Sequence, residues 1–299
     1  MAGLFDQYPT PGKLIQVNDH HLHLHCLDHD GPTVLFEAGQ AGFSLDWMLV
    51  QPEVSRFART CAYDRAGLGW SEAGPRPRTP QQVVAELHTL LMEALVPTPY
   101  VLVAHSLGAR YARRYAEQYP EDVLGLVLVD GYHEAFDLGL GIEPLRLFLR
   151  TRARQYRFLD AVGRLGMAWL FGVQLLGLLG PDFRHMPRSE RKRYARLVTR
   201  PNAMATTIDE HEQAVAVLAT GTSGALPKDV PLRILTHGVP WPYPEQERLW
   251  QESQRQAETW SSHSKLVEAS HSGHAIMLAQ PDLVIEAIRE TLEEAGRSG

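Results

Sequence analysis

The amino-acid sequence predicts an α/β fold, in which helices cover both faces of a mostly parallel sheet. Short apolar runs, each suited to a strand buried on both faces, alternate with segments of helical spacing up to residue 129. The strand pattern then stops and resumes only at residue 231. Alternating strands and helices favour a parallel sheet, and the gap indicates helices inserted between two of its strands.

Local patterns predict the individual elements. The first two strands alternate between apolar and polar side chains, and turn residues precede the buried run that begins at Thr33. Thr79 can cap a helix that has Pro80 at its first position. The predicted strands cover residues 14–17, 21–27, 33–36, 60–63, 100–104, 123–129, 232–236 and 265–267. The predicted helices outside the inserted part cover residues 45–57, 79–94, 107–119 and 281–294.

The domain organisation follows from the interruption of the strand pattern. We expect one α/β core made of residues 1–132 and 231–299, and a helical cap made of residues 133–230. The cap is rich in leucine and phenylalanine and also contains methionine and tryptophan, which predicts an apolar pocket beneath it. Its most apolar stretch, residues 168–179, is too short to span a bilayer as a helix. We therefore expect a buried or lid helix there and no membrane insertion.

Composition and charge restrict the partners of the protein. The 299 residues have a hydrophobic fraction of 44% and a charged fraction of 21%, as in globular proteins. A formal net charge of −6 gives no basis for binding nucleic acid or an anionic membrane. Two cysteines, Cys26 and Cys61, cannot build a disulfide framework, which favours a reducing compartment. Because no signal peptide is evident at the start, we expect a cytoplasmic protein.

The central motif surrounds Ser106. An apolar run leads into Ala104-His105-Ser106-Leu107-Gly108, and helical spacing follows. This order predicts the sharp strand-to-helix turn of the G-x-S-x-G type, with alanine in the first glycine position. Such a turn needs small flanking residues, and it holds the serine hydroxyl near the amino end of the next helix. Backbone N–H groups there can stabilise an oxyanion, so Ser106 is the predicted nucleophile.

At this motif the chain resembles the α/β-hydrolase superfamily, and the resemblance extends over nearly all of the sequence. A second match is the segment YDRAGLGWS at residues 63–71. It is similar to the Y-D-x-x-G-x-G-x-S loop that is common after the fourth strand in that family. The resemblance implies a hydrolase whose catalytic residues follow the chain order serine, acid, histidine.

The resemblance also implies the other two catalytic residues. His274 is the expected general base, because it follows the last predicted strand and precedes the closing helix; His271 is the nearest alternative. Asp130 is the expected acid, since it ends the sixth strand, where a subgroup that includes some haloalkane dehalogenases carries its acid. The loop after residues 232–236, where many members carry it, has no carboxylate before Glu245. Glu245 and Glu247 are therefore the alternative acids.

Two backbone N–H groups are expected to form the oxyanion hole. One belongs to Leu107, and the other, in the glycine loop after residues 33–36, is assigned to Gln40. No organic cofactor or metal is expected. His21, His23 and His25 share one face of a predicted strand and suggest a zinc site, but the same alternation suits a solvated face near the sheet edge. We therefore predict that this strand face is solvated and does not bind zinc.

The expected reaction is hydrolysis of a carboxylic ester of a small or medium apolar substrate. Ser106 would attack the carbonyl carbon, an acyl-enzyme would form, and His274 would activate water. The same residues could instead cleave a thioester, an amide or a carbon–carbon bond, or catalyse cofactor-free perhydrolysis. A serine at this position argues against dehalogenase and epoxide hydrolase activity, which need a nucleophilic carboxylate. The alternative from another class is a small-molecule receptor on a hydrolase scaffold.

Overall fold

The sheet of the protein has the predicted architecture. The computed structural model describes residues 10–164, 180–216, 226 and 228–298. Within them, eight strands form one sheet in the order β1-β2-β4-β3-β5-β6-β7-β8. The strands are Lys13–Val17 (β1), His20–Leu27 (β2), Thr33–Glu37 (β3), Arg59–Tyr63 (β4), Tyr100–His105 (β5), Val123–Val129 (β6), Leu232–His237 (β7) and Ser264–Ala269 (β8). The pairs from β4 to β8 are parallel, whereas β2 runs antiparallel to β1 and β4, which confirms the mostly parallel sheet.

Helices cover both faces of this sheet. They are Gln51–Val54 (α1), Pro80–Glu93 (α2), Gly108–Gln118 (α3), Glu134–Leu140 (α4), Ile142–Arg164 (α5), Arg188–Val198 (α6), Pro201–Ala216 (α7), Pro244–Ala257 (α8), Ile276–Ala279 (α9) and Pro281–Ser298 (α10). Alternate residues of β5 pack into two separate apolar clusters, one on each face. Leu102 and Ala104 belong to one cluster, and Val101 and Val103 belong to the other. Because both faces are covered, β5 and β6 are built almost entirely of buried apolar residues.

The interruption of the strand pattern corresponds to helices α4 to α7, which lie between β6 and β7. We call residues 130–231 the insertion. The division of the chain at residues 132 and 230 stays a prediction, and the apolar stretch 168–179 lies outside the described residues. In the described part of the chain, no helix combines the length and apolar character needed to cross a membrane.

The two cysteines form a pair that was not predicted from the sequence. Cys26 of β2 and Cys61 of β4 are direct neighbours in the antiparallel pairing and form a disulfide. The pairing of these strands brings together two residues that are 35 positions apart. One disulfide is not a framework, but it removes the support that the cysteines gave to a reducing compartment, and the cytoplasmic location stays a prediction.

The face of β2 that carries the histidines is not fully solvated, contrary to expectation. His23 is completely buried, because the loop after β4 folds over it. The Ser71 hydroxyl accepts from its backbone N–H at 2.8 Å, and the Asp64 carboxylate lies 2.9 Å from its Nδ1. Burial alone would lower the pKa of His23, but Asp64 raises it. Within the described ranges, no three His, Cys, Asp or Glu side chains are placed to hold a metal ion.

Candidate active site

Ser106 lies at the bend between β5 and α3. Its φ of 50° is in the left-handed region, and backbone hydrogen bonds hold it there, from Ser106 N–H to Val129 and from Tyr132 N–H to the Ser106 carbonyl. The turn also requires Gly108, since a Cβ at this position would lie 2.6 Å from the carbonyl oxygen of Ala38. This is the sharp turn that the motif predicts, and it places the hydroxyl at the carboxyl edge of the sheet.

Three residues selected from the sequence are connected by hydrogen bonds at this edge. His274 Nε2 lies 2.9 Å from Ser106 Oγ, and His274 Nδ1 lies 2.6 Å from Asp130 Oδ2. His274 comes from the loop between β8 and α9, and Asp130 follows β6 directly. The alternative base, His271, is exposed, and its backbone N–H donates to the side chain of Gln280.

Asp130 is fully buried, and four donors satisfy its carboxylate. Oδ1 accepts from the indole N–H of Trp250 at 2.9 Å and from the backbone N–H of His237 at 3.2 Å. Oδ2 contacts His274 and also His237 Nδ1, the latter at 2.8 Å. Burial alone would raise the pKa of Asp130, but the hydrogen bonds from His237 and His274 outweigh it and hold this pKa well below its ordinary value. Asp130 is therefore an anion at neutral pH.

The two alternative acids bond to other residues. Glu245 is exposed and pairs with Arg248 at 2.6 Å. Glu247 lies 2.9 Å from His237 Nε2, so it connects to Asp130 through that histidine. His237 was not identified from the sequence as a site residue. Its signal was its position at the end of β7, because many members of the α/β-hydrolase superfamily carry the acid in the loop that follows.

The glycine loop after β3 runs directly beside Ser106. A Cβ on Gly39 would lie 3.2 Å from Ser106 Cβ and 2.6 Å from His105 Nδ1. The backbone N–H groups of Leu107 and Gln40, both expected in the oxyanion hole, donate to no acceptor in the part of the chain that the structure describes. Two backbone donors without acceptors beside the serine are what an oxyanion hole requires.

A comparison with protein families supports the resemblance seen in the sequence. A family model described as "alpha/beta hydrolase fold" matches residues 32–223, more than half of the chain. The chain belongs to the α/β-hydrolase fold family. An AB hydrolase superfamily protein of Gibberella zeae is 23% identical over 289 residues, which cover 88% of this chain and 86% of that protein.

Two further proteins are similar to this chain over different lengths. An uncharacterized protein of Schizosaccharomyces pombe is 24% identical across 95% of this chain and 56% of its own length. An uncharacterized protein of Bacillus subtilis is 37% identical across 36% of this chain and 42% of its own length. The chain thus spans about half the length of these two curated relatives.

Solved structures of α/β hydrolases share the fold. A Bacillus megaterium epoxide hydrolase has a TM-score of 0.73 at 18% identity, covering 94% of this chain and all of that one. A thermophilic esterase from Thermogutta terrifontis has a TM-score of 0.67 at 18% identity, covering 95% of this chain and 98% of that one. At these identities the likeness shows the fold alone.

In this α/β-hydrolase fold, Arg65 connects the loop beside the serine to the insertion. Its guanidinium donates to the carbonyl oxygens of Ala38 and Gly39, both at 2.7 Å, and to the carboxylates of Glu37 and of Glu210 on α7. Because a trans peptide points its C=O and N–H in opposite directions, the bond to the Gly39 carbonyl turns the next N–H away from Arg65. That N–H is the second expected oxyanion donor.

A second contact from the insertion holds the loop of His274. Asp182, in the short helical turn Pro181–His185, accepts from the backbone N–H groups of Ala275 at 3.1 Å and of Gly273 at 3.3 Å. His105 Nε2 donates to the carbonyl oxygen of His274 at 2.9 Å, and burial lowers the pKa of His105 to about 3, so this ring is neutral. The backbone around His274 is thus fixed from two sides.

Proposed function

We propose that the protein is a serine hydrolase that cleaves a carboxylic ester of a small or medium apolar substrate through an acyl-enzyme. The supporting observation is the unbroken path of hydrogen bonds from Ser106 Oγ through His274 to the buried anion of Asp130. A serine hydroxyl becomes an effective nucleophile when a base within hydrogen-bond distance takes its proton.

Each of the three residues has a distinct role in the proposed reaction. Ser106 Oγ attacks the carbonyl carbon while His274 Nε2 takes its proton. Asp130 keeps the other proton of the ring on Nδ1 and stabilises the imidazolium that forms. The N–H groups of Leu107 and Gln40 bind the oxyanion, and His274 then protonates the departing alcohol. Water, activated by the same ring, releases the acid from Ser106.

The identity of residue 106 favours ester hydrolysis over epoxide opening, although both activities occur among the similar structures. An epoxide hydrolase of this fold attacks with a carboxylate, which forms an alkyl ester that water can hydrolyse. Ser106 would form an ether with an epoxide carbon, and an ether has no carbonyl for water to attack. An acyl group on Ser106, in contrast, keeps its carbonyl next to His274.

The test compares turnover with covalent labelling of the serine. We expect p-nitrophenyl esters from acetyl to dodecanoyl to be hydrolysed, with a loss of roughly 10⁴-fold or more in kcat for Ser106→Ala. A fluorophosphonate should label wild type and the exposed control Ser262→Ala on residue 106, but it should not label Ser106→Ala. Full activity of Ser106→Ala would refute the proposal. Ligand-induced melting shifts without turnover or labelling would instead indicate a receptor.

A further inference from the structure

A second histidine shares the carboxylate of Asp130 with His274. Both rings bond through Nδ1 to the same oxygen, Oδ2, His237 at 2.8 Å and His274 at 2.6 Å. The other ring nitrogen of His237, Nε2, lies 2.9 Å from a carboxylate oxygen of Glu247. An ionised carboxylate can only accept hydrogen bonds, so both nitrogens of His237 must carry hydrogen. With both carboxylates ionised, these contacts fit His237 as an imidazolium cation.

The surroundings hold this cation in place. The side chains of His237 and Asp130 are fully buried, and that of Glu247 is 16% exposed. Glu247 is itself fixed by the backbone N–H of Trp241 at 3.0 Å and by Gln251 at 2.9 Å. Burial alone would lower the pKa of His237, but Asp130 and then Glu247 raise it to about 9.

We infer that His237 is a positioning residue that balances the charge of Asp130, and that Glu247 keeps it in its cationic form. The inference rests on the proposed function, in which His274 must be neutral to accept the serine proton. An unbalanced carboxylate 2.6 Å from His274 would favour the imidazolium form of that ring and remove the base. A cation on the same oxygen opposes this effect while leaving the orienting hydrogen bond intact.

The charged and titratable groups around His237 come from the elements packed against it. Asp130 comes from the end of β6, Glu247 from α8 and His274 from the loop after β8. On β8, the exposed carboxylate of Glu268 lies 3.0 Å from the position of a Cβ on Gly238. The rings of Trp241 and Trp250 cover the remaining sides. Among the described residues, no lysine or arginine pairs with the carboxylate of Asp130 or of Glu247.

The first experiment observes the histidine rings directly. Protein with ¹⁵N-labelled histidine is titrated by NMR from pH 5 to pH 10, and the two rings are assigned from His237→Gln and His274→Gln. In wild type, His237 should remain protonated through pH 8. In Glu247→Gln the pKa of His237 should fall by one unit or more, about the effect of one adjacent charge. The control is Glu245→Gln on the same helix, which should change nothing.

The second experiment asks whether the cation acts on the base. In His237→Gln, the midpoint of the acid limb of kcat/KM should move up by about one pH unit. Activity one unit below the wild-type midpoint should then fall several-fold, while the alkaline plateau is retained. A role in packing alone would instead lower activity equally at every pH.

The outcomes separate the inference from the proposed function. A wild-type His237 that titrates at or below its ordinary value, or an unchanged His237 titration in folded Glu247→Gln, would overturn the inference. So would an unmoved acid limb in folded His237→Gln. The NMR titration needs no substrate, so a protein without ester turnover would refute the proposed function while the state of His237 could still be measured. If His237→Gln does not fold, Glu247→Gln still decides, because Glu247 is partly exposed.

Discussion

Replacing Asp130 by asparagine tests the assignment of the acid most directly. The substitution keeps the volume of the side chain and exchanges one acceptor oxygen for an NH₂ donor. In the structure, each carboxylate oxygen of Asp130 accepts two hydrogen bonds, Oδ1 from Trp250 and the His237 backbone, Oδ2 from His237 and His274. In either amide orientation, the new NH₂ group therefore faces two donors.

The expected magnitude has two parts. Loss of an acid that orients the base lowers kcat by about 10⁴-fold, which corresponds to about 5 kcal/mol of transition-state stabilisation. Two buried donors without acceptors cost about 1–3 kcal/mol each in folding stability. Asp130→Asn should therefore be both nearly inactive and less stable, with a clearly lower Tm.

The assay is the steady-state kcat for a p-nitrophenyl ester, measured at a temperature where all variants are folded. Tm is measured on the same preparations. The control is Glu245→Gln, because Glu245 is exposed and bonds only to Arg248 among the described residues. It should keep kcat within about twofold of wild type, as surface changes usually do. Folded Asp130→Asn with kcat within tenfold of wild type would refute the assignment. A loss of about 10⁴-fold in the kcat of Glu247→Gln would assign the role of the acid to Glu247 instead.

Three further outcomes are expected. The pKa of His237 is raised from 6.5 to about 9, so its cation contributes about 3 kcal/mol of stability that is complete below pH 6.5 and lost as the pH rises through 9. Urea denaturation between pH 6 and pH 10 should show this loss in wild type and not in His237→Gln. Gly39→Ala puts a Cβ 2.6 Å from His105 Nδ1, beside Ser106, and should lower kcat at least tenfold. A kcat within twofold of wild type would show that the loop can shift to make room for the Cβ. Asp182→Ala leaves two backbone N–H groups next to the base without their acceptor and should lower kcat more than it raises KM, whereas a change in KM alone would contradict a role in holding the base.

The sequence could predict the elements and the proposed nucleophile because their signals are local. The strand, the turn and the helix around Ser106 are contiguous, and small residues are required at fixed offsets from it. Asp130 could also be predicted, because the resemblance implies an acid at the end of the sixth strand. The helix predicted at residues 45–57 was wrong because it runs through Pro52, and a short helical turn, Ser44–Trp47, followed by α1 takes its place.

The sequence could not predict contacts that depend on the register and side-chain conformations of distant elements. Cys26 and Cys61 pair because β2 and β4 are aligned at those positions, and a shift by one residue would separate them. His237 meets Asp130 across 107 residues of sequence, and Arg65 meets Glu210 across 145. Only the folded arrangement brings these groups together.

The insertion contacts both loops of the candidate site, so in the proposed mechanism the packing of the insertion and the chemistry are coupled. Asp182 binds the backbone on both sides of His274, while Glu210 holds Arg65 against the loop beside Ser106. The same α7 helix places His211 2.6 Å from the side chain of Gln40. We therefore expect a substitution that reshapes the insertion to displace the proposed base or the proposed oxyanion donors as well. Because the proposed mechanism requires both within hydrogen-bond distance of one carbonyl group, such changes should alter kcat together with KM.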